Sequence, residues 1–229
     1  IYNMAKWLLD PGHGGEDSGA TYKGRRECDN VLKLTLRVGE LLQQNNEDVY
    51  YTRSKDITVS LLERSNRENV GNYDYFVSIH RNAYKAESAK GCETHIYAKG
   101  GIAEELANKV NSEMVKSGFV NRGVKISNFH VLRETKCPAI LVEVGFIDNT
   151  LDNLIFDSKF EEIAQSIVRA CLCHIGKFIN INNNQLNGDE IYYRCVVGSF
   201  KERINAENRK TELIAKGYRD TFIDVYKKN

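Results

Sequence analysis

Apolar residues recur along the first 179 positions in two alternating rhythms. Short apolar runs at 6–10, 48–52, 73–80, 91–98 and 139–144 read as strands, the last interrupted by a single acid, Glu143. Between them, apolar residues fall at helical spacing. One stripe is Val31, Leu34, Val38, Leu41 and Leu42, and a second is Ile102, Leu106, Val110 and Met114, stopping near Gly118. A closing stripe is Ile163, Ile167, Ala170, Cys171, His174 and Phe178, and 60–69 reads as a polar helix. Strands alternating with helices predict an α/β domain over 4–179, with a mixed, largely parallel sheet flanked by helices.

The rhythm breaks at 180–189, an asparagine-rich stretch that reads as a linker. Residues 190–229 then predict a βαβ unit: strand at 191–197, helix at 204–216 with Leu213 and Ile214 facing inward, strand at 218–226. Forty residues are too few to bury a good core alone. This unit carries nine Lys/Arg against six Asp/Glu, whereas the whole chain is nearly neutral at +1. The mild positive tail suits an anionic polymer or a solvated surface, and the overall balance argues against a nucleic-acid partner.

Hydrophobic residues at 41% and charged residues at 28% are ordinary for a globular protein. No apolar run approaches the roughly 18 residues of a membrane helix, so no membrane insertion is expected. With Met4 read as the natural start and residues 1–3 set aside, no leader is visible. The expectation is synthesis in the cytoplasm and action on an external target after release. The six cysteines, Cys28, Cys92, Cys137, Cys171, Cys173 and Cys195, read as reduced thiols rather than a disulfide framework. Cys171-Leu172-Cys173-His174 falls on an apolar helix, where neighbours two apart point away from each other, so it reads as structure and not as a metal cluster.

The first strand ends in Asp10-Pro11-Gly12-His13-Gly14-Gly15. Proline and three glycines force a tight turn that displays a histidine at the strand end. Two further groups stand at element boundaries: Glu27 opens the first helix, and His80 ends the strand at 73–80. Two histidines and a glutamate make a three-ligand set of the kind zinc hydrolases use, with a fourth position left for water. Glu143 is a carboxylate inside an apolar strand, which is costly without a partner or a task. Beside an activated water it serves as general acid and base. Taken singly, each group has a plainer reading: a turn histidine, a helix-start acid favoured by the dipole, a core histidine, and a structural ion pair of Glu143 with Arg133. Asp10 either orients His13 through its second ring nitrogen or caps the turn.

Together the segments Asp10 to Gly15, Glu27, Ser78-Ile79-His80-Arg81-Asn82-Ala83 and Val142-Glu143-Val144-Gly145-Phe146-Ile147-Asp148-Asn149 resemble the zinc-dependent N-acetylmuramoyl-L-alanine amidases of the amidase-3 type. Val131-Leu132-Arg133-Glu134-Thr135 resembles the stretch that leads into the family's glutamate strand. The likeness spans about residues 5–179. It implies one Zn2+ held by His13, Glu27 and His80, Glu143 as catalytic acid/base, and peptidoglycan as substrate, cut between the muramic acid lactyl group and L-alanine. Arg81, Asn82 and Arg133 are candidates for substrate contact. Cys28, following the ligand, departs from the family's usual charged residue and is expected to pack away. Only ten residues, 81–90, separate His80 from Gly91, which leaves no room for the long inhibitory helix that some relatives insert there.

The tail, Tyr192 to Phe200 with Asn205-Ala206-Glu207 and Gly217-Tyr218, resembles half of the sporulation-related repeat that binds peptidoglycan. A missing half implies pairing of two tails in a homodimer, the alternative being packing on the chain's own catalytic domain. The expected role is a phage or prophage endolysin acting on Gram-positive wall. The alternatives are a sporulation mother-cell autolysin with the same chemistry, a zinc exopeptidase, and a catalytically dead wall-binding protein.

Overall fold

The computed structural model describes residues 4–179 and 198–217, with 221 and 223. The chain divides into two compact units, Ile1–Ile181 and Asn182–Asn229. The first holds β1 (Lys6–Pro11), a small hairpin β2 (Thr21–Tyr22) and β3 (Arg25–Arg26), α1 (Glu27–Gln44), β4 (Asp48–Tyr51), α2 (Leu61–Gly71) and β5 (Tyr75–Asn82). It continues with β6 (Cys92–Ile96), α3 (Ile102–Lys116), β7 (Asn121–Ile126), α4 (His130–Arg133), β8 (Ala139–Phe146), α5 (Thr150–Ser158) and α6 (Phe160–His174).

Six strands form one sheet in the order β4-β1-β5-β8-β6-β7. The first four run parallel, β6 pairs antiparallel with β8, and β7 runs parallel to β6. The sheet is thus mixed and largely parallel with flanking helices, as the sequence rhythm predicts. Both faces of its central strands are covered, which explains their nearly unbroken apolar runs.

The two faces differ. Side chains alternate along a strand, so Trp7, Leu9, Val77, Ile79, Ile140, Val142 and Val144 share a face. They merge there with Val31, Leu34 and Val38 of α1, Leu106 and Val110 of α3, and Ile163 and Ile167 of α6 into the main core. On the opposite face Leu8, Phe76, Ala139 and Leu141 meet Val131 and Leu132 of α4 in a small cluster, with Tyr73 and Cys137 packed against it. Toward the carboxyl ends of the parallel strands that second face turns polar. In register across the sheet stand Asp10, Ser78 and Leu141, then His80, Glu143 and Glu93.

α2 is polar because it packs on this face. Ser60 and Glu63 close a reciprocal capping box at its start, and it buries Arg64, Ser65 and Glu68. One predicted helix end changes. The closing helix stops at His174, leaving Phe178 exposed rather than on its stripe. β7, α4, α5 and the β2–β3 hairpin had no sequence signal: each is short, and β7 is a polar edge strand. Cys171 is buried and Cys173 exposed, as their spacing predicts, and Cys28, Cys92 and Cys137 are likewise free thiols.

In the second unit α7 (Arg203–Ala215) matches the predicted helix, but it buries no residue. Leu213 is half-buried and Ile214 is exposed, so Ile214 does not face inward there. The predicted strand at 191–197, Cys195 and most of the strand at 218–226 lie outside the described residues.

Candidate active site

The turn after β1 is built for close approach. The Gly12 N–H donates to the Ile79 carbonyl at 3.0 Å, pinning the turn to β5. A Cβ on Gly12 would stand 2.2 Å from His80 Cε1, so only glycine fits. His13 follows at φ 58°, in the left-handed region that non-glycine residues seldom occupy. The strained turn is locked by Gly14 and Asp17, whose backbones bond each other at 2.7 and 3.2 Å.

Glu27 is the first residue of α1, and the hairpin β2–β3 leads into it. Its Oε2 accepts the Ala20 N–H at 3.0 Å and its Oε1 the Arg81 N–H at 3.0 Å. The same Oε1 lies 3.1 Å from His13 Nε2 and 3.0 Å from His80 Nδ1. One carboxylate oxygen thus faces two imidazole nitrogens, and the three ligand atoms lie within 4.8 Å of one another. Ligands 2.0–2.3 Å from a tetrahedral ion stand roughly 3–4 Å apart, so the donor set and its spacing fit a zinc ion. Gly19 adds to the cradle: a Cβ there would meet His13 Cδ2 at 2.6 Å and Glu27 Oε2 at 2.7 Å.

Charge is concentrated to match. Burial disfavours the Glu27 carboxylate, but hydrogen bonds and charge from His13 and His80 hold it far below the usual carboxylate range. Burial opposes an imidazolium at His13, yet Glu27 and then Asp17 raise it to about 9. A metal ion would take the place of those protons.

Glu143 stands in register with His80 on the neighbouring strand. Its Oε2 is fully enclosed with no hydrogen-bond partner among the described residues, although the residue as a whole keeps some exposure. Burial, reinforced by the charges of Glu27 and Glu93 against those of His80 and His95, pushes its carboxyl up to about 7.

Similarity to known proteins decides the family. Residues 8–173 match the profile described as N-acetylmuramoyl-L-alanine amidase, Amidase_3. The chain is 36% identical over 219 residues to the N-acetylmuramoyl-L-alanine amidase CwlM of Bacillus licheniformis, covering 94% of this chain and 83% of that protein. It is 35% identical over 220 residues to the sporulation-specific N-acetylmuramoyl-L-alanine amidase of Bacillus subtilis, with the same coverage. The crystal structure of an N-acetylmuramoyl-L-alanine amidase from Clostridium difficile 630 superposes with TM-score 0.72 at 35% identity, over 76% of this chain and 98% of that one. The chain belongs to the Amidase_3 family.

Within this amidase fold, His13, Glu27 and His80 converge and Glu143 adjoins them. Other sequence candidates lie elsewhere. Asp10 does not orient His13: it is buried, and accepts from Thr52 Oγ1 at 2.5 Å, Ser78 Oγ at 2.7 Å and Arg64 Nη1 at 2.5 Å. The His13 partner is Asp17, whose Oδ2 lies 2.8 Å from Nδ1 while its Oδ1 accepts the Gly19 N–H. Arg81 is not a substrate contact. It is 1% exposed, donates to the carbonyls of Val144 and Phe146 and to Asn30 Oδ1, and stacks on Phe156. Asn82 turns to Glu93, with Nδ2 2.7 Å from Oε1. Arg133 pairs with Glu134 and Asn128, each at 2.7 Å, and not with Glu143.

Cys28 is buried and apart from the histidines, and the carboxylates near it, Asp29 and Asp56, are bridged by Arg26. Sequence reasoning missed Asp17 and Glu93. Asp17 had one available signal, its spacing of four from His13 across a glycine turn. Glu93 faces Glu143 only through the antiparallel pairing of β6 with β8, which no local pattern announces.

Proposed function

We propose that this chain is a zinc-dependent peptidoglycan amidase that cuts between the muramic acid lactyl group and L-alanine. The observation that carries the reading is the shared Glu27 oxygen between His13 and His80, beside a carboxyl raised to about 7. His13, Glu27 and His80 would hold the ion. When bound, zinc supplies a Lewis acid for the scissile carbonyl and acidifies a water. Glu143 accepts the proton of the attacking water and delivers it to the leaving nitrogen of L-alanine. A carboxyl near 7 suits both directions of transfer at neutral pH. Asp17 fixes the ring of His13 through Nδ1, leaving Nε2 for the ion.

The site is open and needs no activator. Residues 83–91 form a short loop without helix. That loop is tied aside, with the Tyr84 N–H on Asp148 Oδ2 and Glu87 on Thr150 and Tyr22. The decisive experiment is digestion of purified sacculi by the zinc-loaded protein alone. New L-alanine amino termini without new reducing sugars are expected. Release of free amino acids would favour a zinc exopeptidase, and inactivity until a partner protein is added would overturn the open site.

Of the two biological settings, the extent of similarity favours an autolysin. The match to the sporulation-specific amidase spans 94% of the chain, against 69% for the endolysin of Bacillus phage SPP1. The basic C-terminal unit is read as a wall-binding module that pairs in a homodimer. Sedimentation at micromolar concentration tests it, and a strict monomer would refute the pairing.

A further inference from the structure

Beyond the metal ligands, the polar row continues to the edge of the sheet. Glu93 of β6 is 6% exposed and faces Glu143 in register. Its Oε1 accepts from Asn82 Nδ2 at 2.7 Å and lies 3.4 Å from His95 Nε2, and its Oε2 accepts from Arg122 Nε at 2.8 Å. Arg122 sits on β7 where the register with β6 slips. Cys92 pairs Asn121 but Thr94 pairs Val124, so Arg122 and Gly123 together oppose Glu93. This is a β-bulge, a device that re-aims side chains beside active sites. It is stabilised by Gly123 at φ 80° and by the Gly123 N–H on Asn121 Oδ1. The Arg122 guanidinium then lies over the Phe146 ring, 4.9 Å from its centre. Held by Nε and by a ring face, its two Nη groups have no partner among the described residues, and the side chain is 37% exposed.

A guanidinium fixed at one edge, with its fork unoccupied, is a receptor for a planar anion. Direction follows from the chemistry. Glu143 protonates the leaving amine, so the peptide departs on the Glu143 side of the ligands, over β6 and β7. Two strands beyond β8 is about 10 Å. The α-carboxylate of the second stem residue lies about 7 Å along an extended chain from the first residue's nitrogen, and the arginine side chain spans the difference.

We propose that Arg122 binds the free α-carboxylate of the second stem-peptide residue, with Glu93 as its positioning residue, so that this amidase discriminates carboxylate from carboxamide stems. The inference rests on the amidase reading above. The test uses the zinc-loaded full chain and two soluble muramoyl pentapeptides identical except at that group, D-isoglutamate or D-isoglutamine. For the wild type we expect kcat/KM about 10- to 100-fold higher on the carboxylate, carried by KM, as a charge-assisted contact implies. Arg122→Ala collapses that ratio toward one, Arg122→Lys restores part of it, and Glu93→Gln lowers it. Equal cleavage of both substrates by the wild type overturns the proposal. So does an Arg122→Ala loss shared equally by both substrates, which is the signature of a structural defect. Failure to cleave either substrate overturns the amidase reading itself, a distinct outcome.

Discussion

Asp10 and Glu143 are both enclosed carboxylates, on the same face of the same sheet, two strands apart. Asp10 is saturated: two hydroxyls and the Arg64 guanidinium occupy its oxygens. Burial alone would raise its carboxyl, but Arg64, Ser78 and Thr52 hold it below the ordinary value. Glu143 has an enclosed oxygen with no protein partner and a carboxyl raised to about 7. Burial is common to both, so burial does not by itself single out Glu143 as the proposed working acid. What separates them is whether the fold completes their hydrogen bonds.

The comparison breaks most sharply at Glu143. Glu143→Gln should lower sacculus hydrolysis by about 10²- to 10⁴-fold with zinc content unchanged by metal analysis. It should also raise the stability of the metal-free protein. The folded carboxyl, near 7, lies above the unfolded value of 4.5. The wild type therefore loses stability as pH rises from 4.5 and carries the full penalty above about 7, on the order of 3 kcal/mol at most. Urea melts at pH 8 should show the variant more stable, and melts at pH 4 should show no difference. A variant destabilised at both pH values would make Glu143 a structural acid like Asp10.

Asp10→Ala has the opposite profile. It should cost about 3–5 kcal/mol, because Arg64 is left charged and buried at 4% side-chain exposure. The folded carboxyl is depressed, so its stabilisation is present above the unfolded value of 3.8 and is lost as pH falls below it. The stability gap between Asp10→Asn and wild type should accordingly narrow in acid melts. Full activity per folded molecule would confirm that Asp10 takes no part in chemistry.

Smaller effects sharpen the boundary of the site. Asp17→Asn should weaken zinc about 10- to 100-fold in a competitive chelator titration, since it removes the anion that orients His13. Cys28→Ala should leave zinc affinity and hydrolysis within about twofold while costing roughly 1 kcal/mol of stability in urea, as expected for a small packed thiol. A large zinc effect there would bring the thiol into the site.

Much of the fold is legible because the central strands are buried on both faces and write themselves as apolar runs. His13, Glu27, His80 and Glu143 are legible because each interrupts a pattern: a histidine in a glycine turn, an acid at a helix start, polar groups in apolar strands. Asp10 is the instructive case, since the sequence leaves its role open. In the sequence it looks as isolated as Glu143, and only the fold brings Thr52, Ser78 and Arg64 to it, from 42, 68 and 54 residues away. Arg81 misleads in the same way, adjacent to His80 in the chain but directed into the packing beside Phe156. Arg122 left no trace, since a polar edge strand with a bulge has neither strand alternation nor helical period.

The shared Glu27 oxygen has a topological consequence. His13, Glu27 and His80 come from the turn after β1, from α1 and from β5, the last two 53 positions apart. An ion held by all three therefore ties the chain into two consecutive loops, much as a pair of crosslinks does, and restricts the unfolded ensemble more than the folded one. Chelation should then do more than switch off hydrolysis. It should release the segment from His13 to Glu27 first, and amide exchange there should quicken well before the sheet itself gives way.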